Sequence, residues 1–188
     1  MSLSPGTTVA GDYRIVSPMA QGGMGEVYVV EQVSTGKRRA LKLMKPELLS
    51  DAALVARFEQ EAKIGGLIES DHVVEVVGAG VDRSLGMPWL AMELLQGESL
   101  AATLRRQGPL PVAQARALFA QLGHGLGAAH RAHVVHRDLK PENIFIARVQ
   151  QLGVDFKVKI LDFGIAKLFD DAKTSNTGMM SLGTPKPP

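Results

Sequence analysis

Residues 136–143 read His136-Arg-Asp-Leu-Lys-Pro-Glu-Asn143, and residues 162–164 read Asp162-Phe-Gly. The first run sets an acid, a cation and an amide close together, in a segment that Pro141 keeps from continuing as a helix. Asp138 could take a proton from a hydroxyl, Lys140 could neutralise a transferring phosphoryl group, and Asn143 could ligate a hard cation through its carbonyl oxygen. Asp162 offers a second oxygen ligand on a glycine-ended turn at the end of a strand.

Upstream, Tyr13-Arg-Ile-Val and Val27-Tyr-Val-Val read as strands joined across Ala20-Gln-Gly-Gly-Met-Gly, a hairpin with a bare tip. Gly22, Gly23 and Gly25 there could bring backbone N–H groups close to a phosphate chain, although a glycine-rich hairpin tip taken alone is more often a plain turn. The similar string Gly123-His-Gly125-Leu-Gly127-Ala128 lies inside a helical pattern, so it is rejected as a dinucleotide fingerprint. No G-x-x-x-x-G-K-[ST] string occurs. Lys42 is flanked by Ala40, Leu41 and Leu43, and a lysine in such a strand is costly unless paired. Glu61 is its natural partner; an exposed edge-strand lysine is the alternative.

The chain of 188 residues carries a net charge of +2 and no cysteine. These values exclude a disulfide scaffold, a cysteine-ligated metal and a thiol nucleophile, and they leave a weak footprint for nucleic acid. No apolar run is long enough to span a bilayer, and the N-terminus lacks the pattern of a signal peptide, so a cytoplasmic location is expected. Residues 1–12 read as a flexible arm. Strands are expected at 39–44, 73–81 and 87–95, the last ended by Gly97, with a helix beginning near Asp51. Beyond a boundary near residue 96, helices are expected at 99–106 and 112–133, then short strands at 144–147 and 158–161. The glycines of the second helix each cost about 1 kcal/mol relative to alanine, so that helix needs tertiary support. The expected class is α+β: a five-stranded antiparallel sheet with one helix over 13–95, then a helical part over 96–188.

The two runs, in this order, resemble the eukaryotic-type protein kinase family. Residues 136–143 meet H-R-D-L-x-x-x-N at every specified position, and D-F-G follows; eight such matches would coincide by chance about once in 10^10. The wording Gly22-Gly-Met-Gly-Glu-Val-Tyr28 and Lys140 are most similar to the bacterial serine/threonine branch. The resemblance implies a two-lobe fold and transfer of the γ-phosphoryl group of ATP, with Mg2+, to protein Ser/Thr hydroxyls. It implies Asp138 as base, Lys140 as phosphate-stabilising cation, and Asn143 and Asp162 as magnesium ligands. Lys42 would hold the α/β-phosphates and Glu61 would hold Lys42. Met19 to Val27, with Ala20, Gly22, Gly23 and Gly25, would cover the nucleotide. Met92 would be the gatekeeper, with the Glu93 carbonyl and the Leu95 N–H meeting adenine between Val27, Ala40 and Phe145. His136 is implied to be structural, beside the D-F-G turn. Thr174, Ser175, Thr177 and Ser181 are candidates for phosphorylation that docks on Arg137, and Thr184 resembles the substrate-docking threonine.

Two departures stand out. Ala20 occupies the position of the first loop glycine, where its methyl is expected to weaken nucleotide binding. The sequence ends at Lys186-Pro-Pro before any A-P-E motif. A truncated helical lobe with impaired activity is therefore expected, its exposed lower face open to a protein partner. The competing reading is a catalytically weak nucleotide-binding module with a regulatory or scaffold role.

Overall fold

The computed structural model describes residues 3–22, 25–45, 66–149 and 156–163. Within them, β1 (Thr8–Val9), β2 (Tyr13–Gly22), β3 (Gly25–Gln32), β4 (Arg38–Met44), β5 (Val76–Asp82) and β6 (Met87–Glu93) form one sheet. Its order is β1-β2-β3-β4-β6-β5, and every pairing is antiparallel. Alternation along the strands separates its two faces. Ile15, Tyr28, Val30, Leu41, Leu43 and Ala91 bury one face together. Each of the larger aliphatic side chains withdrawn from water contributes about 1.5–3 kcal/mol. Lys42 points to the other face.

The sheet has six strands rather than the expected five, because part of the arm is tied down. Val9 is fully buried, the Ala10 N–H donates to Asp82 Oδ2 at 2.6 Å, and the Leu3 N–H donates to the Tyr28 hydroxyl at 2.9 Å. Burial alone would push the Asp82 carboxyl up, but hydrogen bonds from Ser84, Ala10 and Leu85 hold it down at about 2. The expected helix from Asp51 lies outside the described residues.

The strand expected from Val73 begins only at Val76, since residues 72–74 are diverted to a second sheet. Val73 bridges Ile160 in parallel, the Val74 N–H donates to the Ile160 carbonyl at 3.0 Å, and the Ile160 N–H donates to the His72 carbonyl at 2.9 Å. That second sheet is β7 (Gly97–Ser99), β8 (Ile144–Ala147) and β9 (Lys157–Ile160), in the order β7-β8-β9. Gly97 therefore opens a strand instead of ending one. At φ +145° it lies where a Cβ would sit 2.1 Å from the Ile146 carbonyl oxygen, so only glycine fits.

Helix α1 (Leu100–Gln107) starts where Ser99 Oγ accepts the Ala102 N–H at 3.2 Å and stops at Gly108. Helix α2 (Val112–Arg131) buries Leu118, Leu122, Gly125, Ala128 and Ala129. These pack on Ile144, Val158, Ile160 and Phe163. The support that the helix glycines require is visible at Gly125, where an added Cβ would meet Ile160 Cδ1 at 2.7 Å and the His72 carbonyl oxygen at 3.1 Å. Close approach of α2 to β9 fixes the strand that leads into Asp162.

Candidate active site

On β4, Lys42 stands opposite Val27 of β3 and Leu90 of β6, while Ala40 stands opposite Val29 and Met92. Directly paired residues share a face. Ala20, which pairs with Val27, therefore joins Val27, Ala40, Lys42 and Met92 on one side of the sheet. Gly22 pairs with Gly25, and Met19 is the extra residue of the irregularity between Pro18 and Ala20. At Gly25 an added Cβ would lie 2.0 Å from the Leu43 carbonyl oxygen, which forces a bare backbone at the hairpin tip. Gly23 and Glu61 lie outside the described residues, as do Thr174, Ser175, Thr177, Ser181 and Thr184.

Among the described residues the partner of Lys42 is Asp162, 120 positions away, with Nζ 2.9 Å from Oδ2. Asp162 adopts φ 53° and Arg137 φ 61°. Left-handed conformations cost non-glycine residues about 1–2 kcal/mol, so surrounding bonds must hold them.

Those bonds are present. Pro141–Asn143 forms a 3-10 turn, and the Asn143 N–H donates to the Lys140 carbonyl at 2.9 Å. The Asn143 amide nitrogen donates to the Asp138 carbonyl at 2.8 Å and to Asp138 Oδ2 at 3.1 Å. Lys140 Nζ reaches the same carboxylate oxygen at 2.8 Å. The Leu161 N–H donates to the Asn143 carbonyl at 2.9 Å, which ties this loop to the backbone just before Asp162. His136 fastens the loop a second time. Its Nδ1 accepts the Asp138 N–H at 3.3 Å, so Nε2 carries the proton and donates to the Leu161 carbonyl at 2.8 Å. The imidazole packs on Phe163 with ring centroids 4.7 Å apart, the structural position that the resemblance implied.

The electrostatics follow from these contacts. The Lys140 hydrogen bond holds the Asp138 carboxyl below its ordinary range against desolvation, helped by the Lys140 charge and the Asn143 amide. Asp138 in turn raises the Lys140 ammonium, and the charge of Asp162 adds to that rise. Asp138 is thus an ionised acceptor near neutral pH beside a fixed cation.

Two side-chain groups result, Lys42 with Asp162 and Asp138 with Lys140 and Asn143, and the Leu161 N–H bond to the Asn143 main-chain carbonyl sets them side by side. Phe145, on β8, pairs with Lys159 on the face opposite to Ile144 and Ile160, which pack on α2. Glu93 closes β6, and Leu95 lies between it and β7. A cavity of about 760 Å³ is bounded by Val73, Glu75, Glu93, Leu95, Arg148 and Lys159 among others, and it excludes all five residues of these two groups. Sequence reasoning missed the Lys159 bond to Glu93 and the His136 bond to the Leu161 carbonyl. Both join segments distant in sequence, and only the alternation of Lys159 with buried Val158 and Ile160 hinted at the first.

The protein kinase domain family model matches residues 13–186. The chain is 39% identical over 187 residues to the serine/threonine-protein kinase pkn2 of Myxococcus xanthus, covering 98% of this chain and 22% of that protein. It is 38% identical over 187 residues to the serine/threonine-protein kinase PknA of Mycobacterium tuberculosis, covering 98% of this chain and 42% of the relative. Among solved structures, the kinase domain of Mycobacterium tuberculosis PknI superposes with a TM-score of 0.75 at 29% identity, covering 88% of this chain and 64% of that one. The chain thus spans less than half of the length of either curated relative. It belongs to the protein kinase family, in the bacterial serine/threonine branch.

Proposed function

We propose that this chain binds ATP with Mg2+ and transfers the γ-phosphoryl group to a Ser or Thr hydroxyl of a protein substrate. The observation that supports this reading is the juxtaposition of two bonded groups, Lys42 with Asp162 and Asp138 with Lys140 and Asn143, through the Leu161 N–H bond to the Asn143 main-chain carbonyl. Phosphoryl transfer depends mainly on positioning and electrostatics, and these groups hold acid, cation and oxygen donors in fixed relation.

The donor set fits a hard cation. The Asn143 amide nitrogen is committed to Asp138, and among the described residues nothing donates to its side-chain oxygen Oδ1. That oxygen and the Asp162 carboxylate are the kind of ligands magnesium takes, with phosphates and water completing its shell. The described residues contain no group of three or more histidine, cysteine, aspartate or glutamate residues able to hold a metal ion. When bound, the cation neutralises charge developing on the phosphates.

Lys42 would hold the α/β-phosphates, and Glu61 would hold Lys42. Asp138 orients the incoming hydroxyl and accepts its proton as the Oγ–P bond forms and the bond from the γ-phosphorus to the bridging oxygen breaks. Lys140 balances charge on the moving group. Met92 borders the adenine site, the Glu93 carbonyl and Leu95 N–H meet the base, and Val27, Ala40 and Phe145 enclose it. Met19, Ala20, Gly22, Gly23 and Gly25 form the cover. Phosphorylation at Thr174, Ser175, Thr177 or Ser181 would dock on Arg137, and Thr184 would approach the substrate hydroxyl.

A protein partner on the outward face of α2 belongs to the same proposal, where Val112 and Phe119 are 78% and 67% exposed. No helix among the described residues is long and apolar enough to cross a membrane. The test is transfer of label from radiolabelled Mg-ATP to a basic protein acceptor. Transfer that disappears in Asp138→Asn supports the enzyme. ATP binding without transfer favours the weak nucleotide-binding module instead.

A further inference from the structure

Lys159 lies on β9, three residues before Asp162, and its side chain is only 12% exposed. A lysine so buried must be paired to keep its charge. Its ammonium donates to Glu93 Oε1 and, at 3.3 Å, to the Val73 carbonyl. The same Glu93 oxygen accepts the Glu75 N–H at 2.9 Å, and the Glu93 N–H donates to the Glu75 carbonyl at 3.0 Å. Glu93 is therefore held from two sides, by the segment entering β5 and by a side chain from the other sheet. Lys159 also stands opposite Phe145 on β8, so its stem shares a face with the ring assigned to the adenine floor.

These contacts join the two ends of the proposed nucleotide site. Glu93 and Leu95 are assigned to the base, whereas β9 runs directly into Asp162 at the phosphate end. Residues 72–75 splice the two sheets through backbone bonds of 72–74 to Ile160 and of Glu75 to Glu93, and the Lys159 clasp is the side-chain counterpart of that splice. A well-packed apolar pair could supply equal stability here, since desolvation offsets much of the attraction in a buried ion pair. What the charged pair adds is direction: two donors on one ammonium fix where Glu93 sits relative to β9.

We infer that Lys159 is a positioning residue for nucleotide binding, acting through Glu93 to set the adenine-reading segment at a fixed distance from Asp162. The inference rests on the nucleotide reading above. It predicts a selective defect, because the phosphate end keeps its own bonds to Lys42 and Asn143 while the base end loses its anchor.

Titration calorimetry on the 188-residue chain, with Mg-ATP, adenosine and Mg-tripolyphosphate as separate probes, tests it. Lys159→Met is expected to weaken ATP and adenosine by roughly tenfold each and to leave tripolyphosphate within about twofold, with Lys159→Arg restoring both. Glu93→Gln, which keeps an acceptor for the Glu75 N–H, is expected to show the same selectivity in milder form, and it decides the matter if Lys159→Met does not fold. Adenosine affinity unchanged in the variants, or adenosine and tripolyphosphate affinities falling together, overturns the inference while leaving the nucleotide site standing. A wild-type chain that binds neither ATP nor adenosine overturns the nucleotide reading and this inference with it.

Discussion

Gly123 and Gly125 lie on the same helix and should respond differently to alanine. Each substitution gains about 1 kcal/mol of helix propensity. At Gly123 the new methyl enters open space, with nothing within 4 Å, so the gain is realised. At Gly125 the methyl would lie 2.7 Å from Ile160 Cδ1, 3.1 Å from His72 Cβ and 3.1 Å from the His72 carbonyl oxygen. The isoleucine tip can rotate away. The His72 backbone is bonded to the Ile160 N–H at 2.9 Å and moves only by disturbing β9. Overpacking of this kind costs about 1–3 kcal/mol, which leaves Gly125→Ala between neutral and roughly 2 kcal/mol less stable than wild type. Urea unfolding should separate the variants by about 1–3 kcal/mol, with the melting temperature of Gly123→Ala above wild type and that of Gly125→Ala at or below it, at about 2–4 °C per kcal/mol. If Gly125→Ala is stabilised as much as Gly123→Ala, α2 does not press on β9 as described.

Lys42→Ala is expected to weaken Mg-ATP by more than about tenfold, or ~1.4 kcal/mol, in calorimetry; unchanged affinity would contradict the assigned phosphate contact. Asp82, held at about 2 in the fold against 3.8 unfolded, stabilises the protein above the unfolded value and loses that contribution as pH falls through the folded one. Asp82→Asn should therefore cost about 2 kcal/mol at pH 7, with the gap from wild type closing toward pH 2 in denaturant titrations. Lys140→Met removes the hydrogen bond that chiefly depresses Asp138, so the acidic limb of kcat/KM should move to higher pH. A limb that stays in place would separate Asp138 from the titration.

The residues of the candidate site were legible because they sit in short runs whose residue types are dictated locally: Asp138, Lys140 and Asn143 within one loop, Asp162 in the Asp-Phe-Gly run. Long alternating strands such as β3 and β4 were equally readable, as was α2 from its buried spacing. What escaped was set by distant pairing. Thr8–Val9 is too short to show a period and becomes a strand because Val9 is buried and Asp82 holds the next residue. Gly97 looked like a terminator because, although a strand was expected at 144–147, nothing local announces that residues 97–99 pair with it, 50 positions on. The diversion of residues 72–74 toward Ile160, and the clasp of Lys159 on Glu93, likewise depend on segments brought together only by the fold. Gly125, which local propensity counts as a defect in α2, is required by the approach of β9 and His72.

Nuclear magnetic resonance with Mn2+-ATP, the paramagnetic ion replacing Mg2+, most directly tests whether one triphosphate is shared by the distant segments. Backbone signals of residues 25–27, 42, 138–143 and 161–163, together with the Asn143 side-chain amide, should broaden together on adding Mn2+-ATP, and should recover in Asn143→Ala combined with Asp162→Ala. Broadening confined to one of these segments, or the same broadening with Mn2+ alone, would show that they do not surround a common nucleotide.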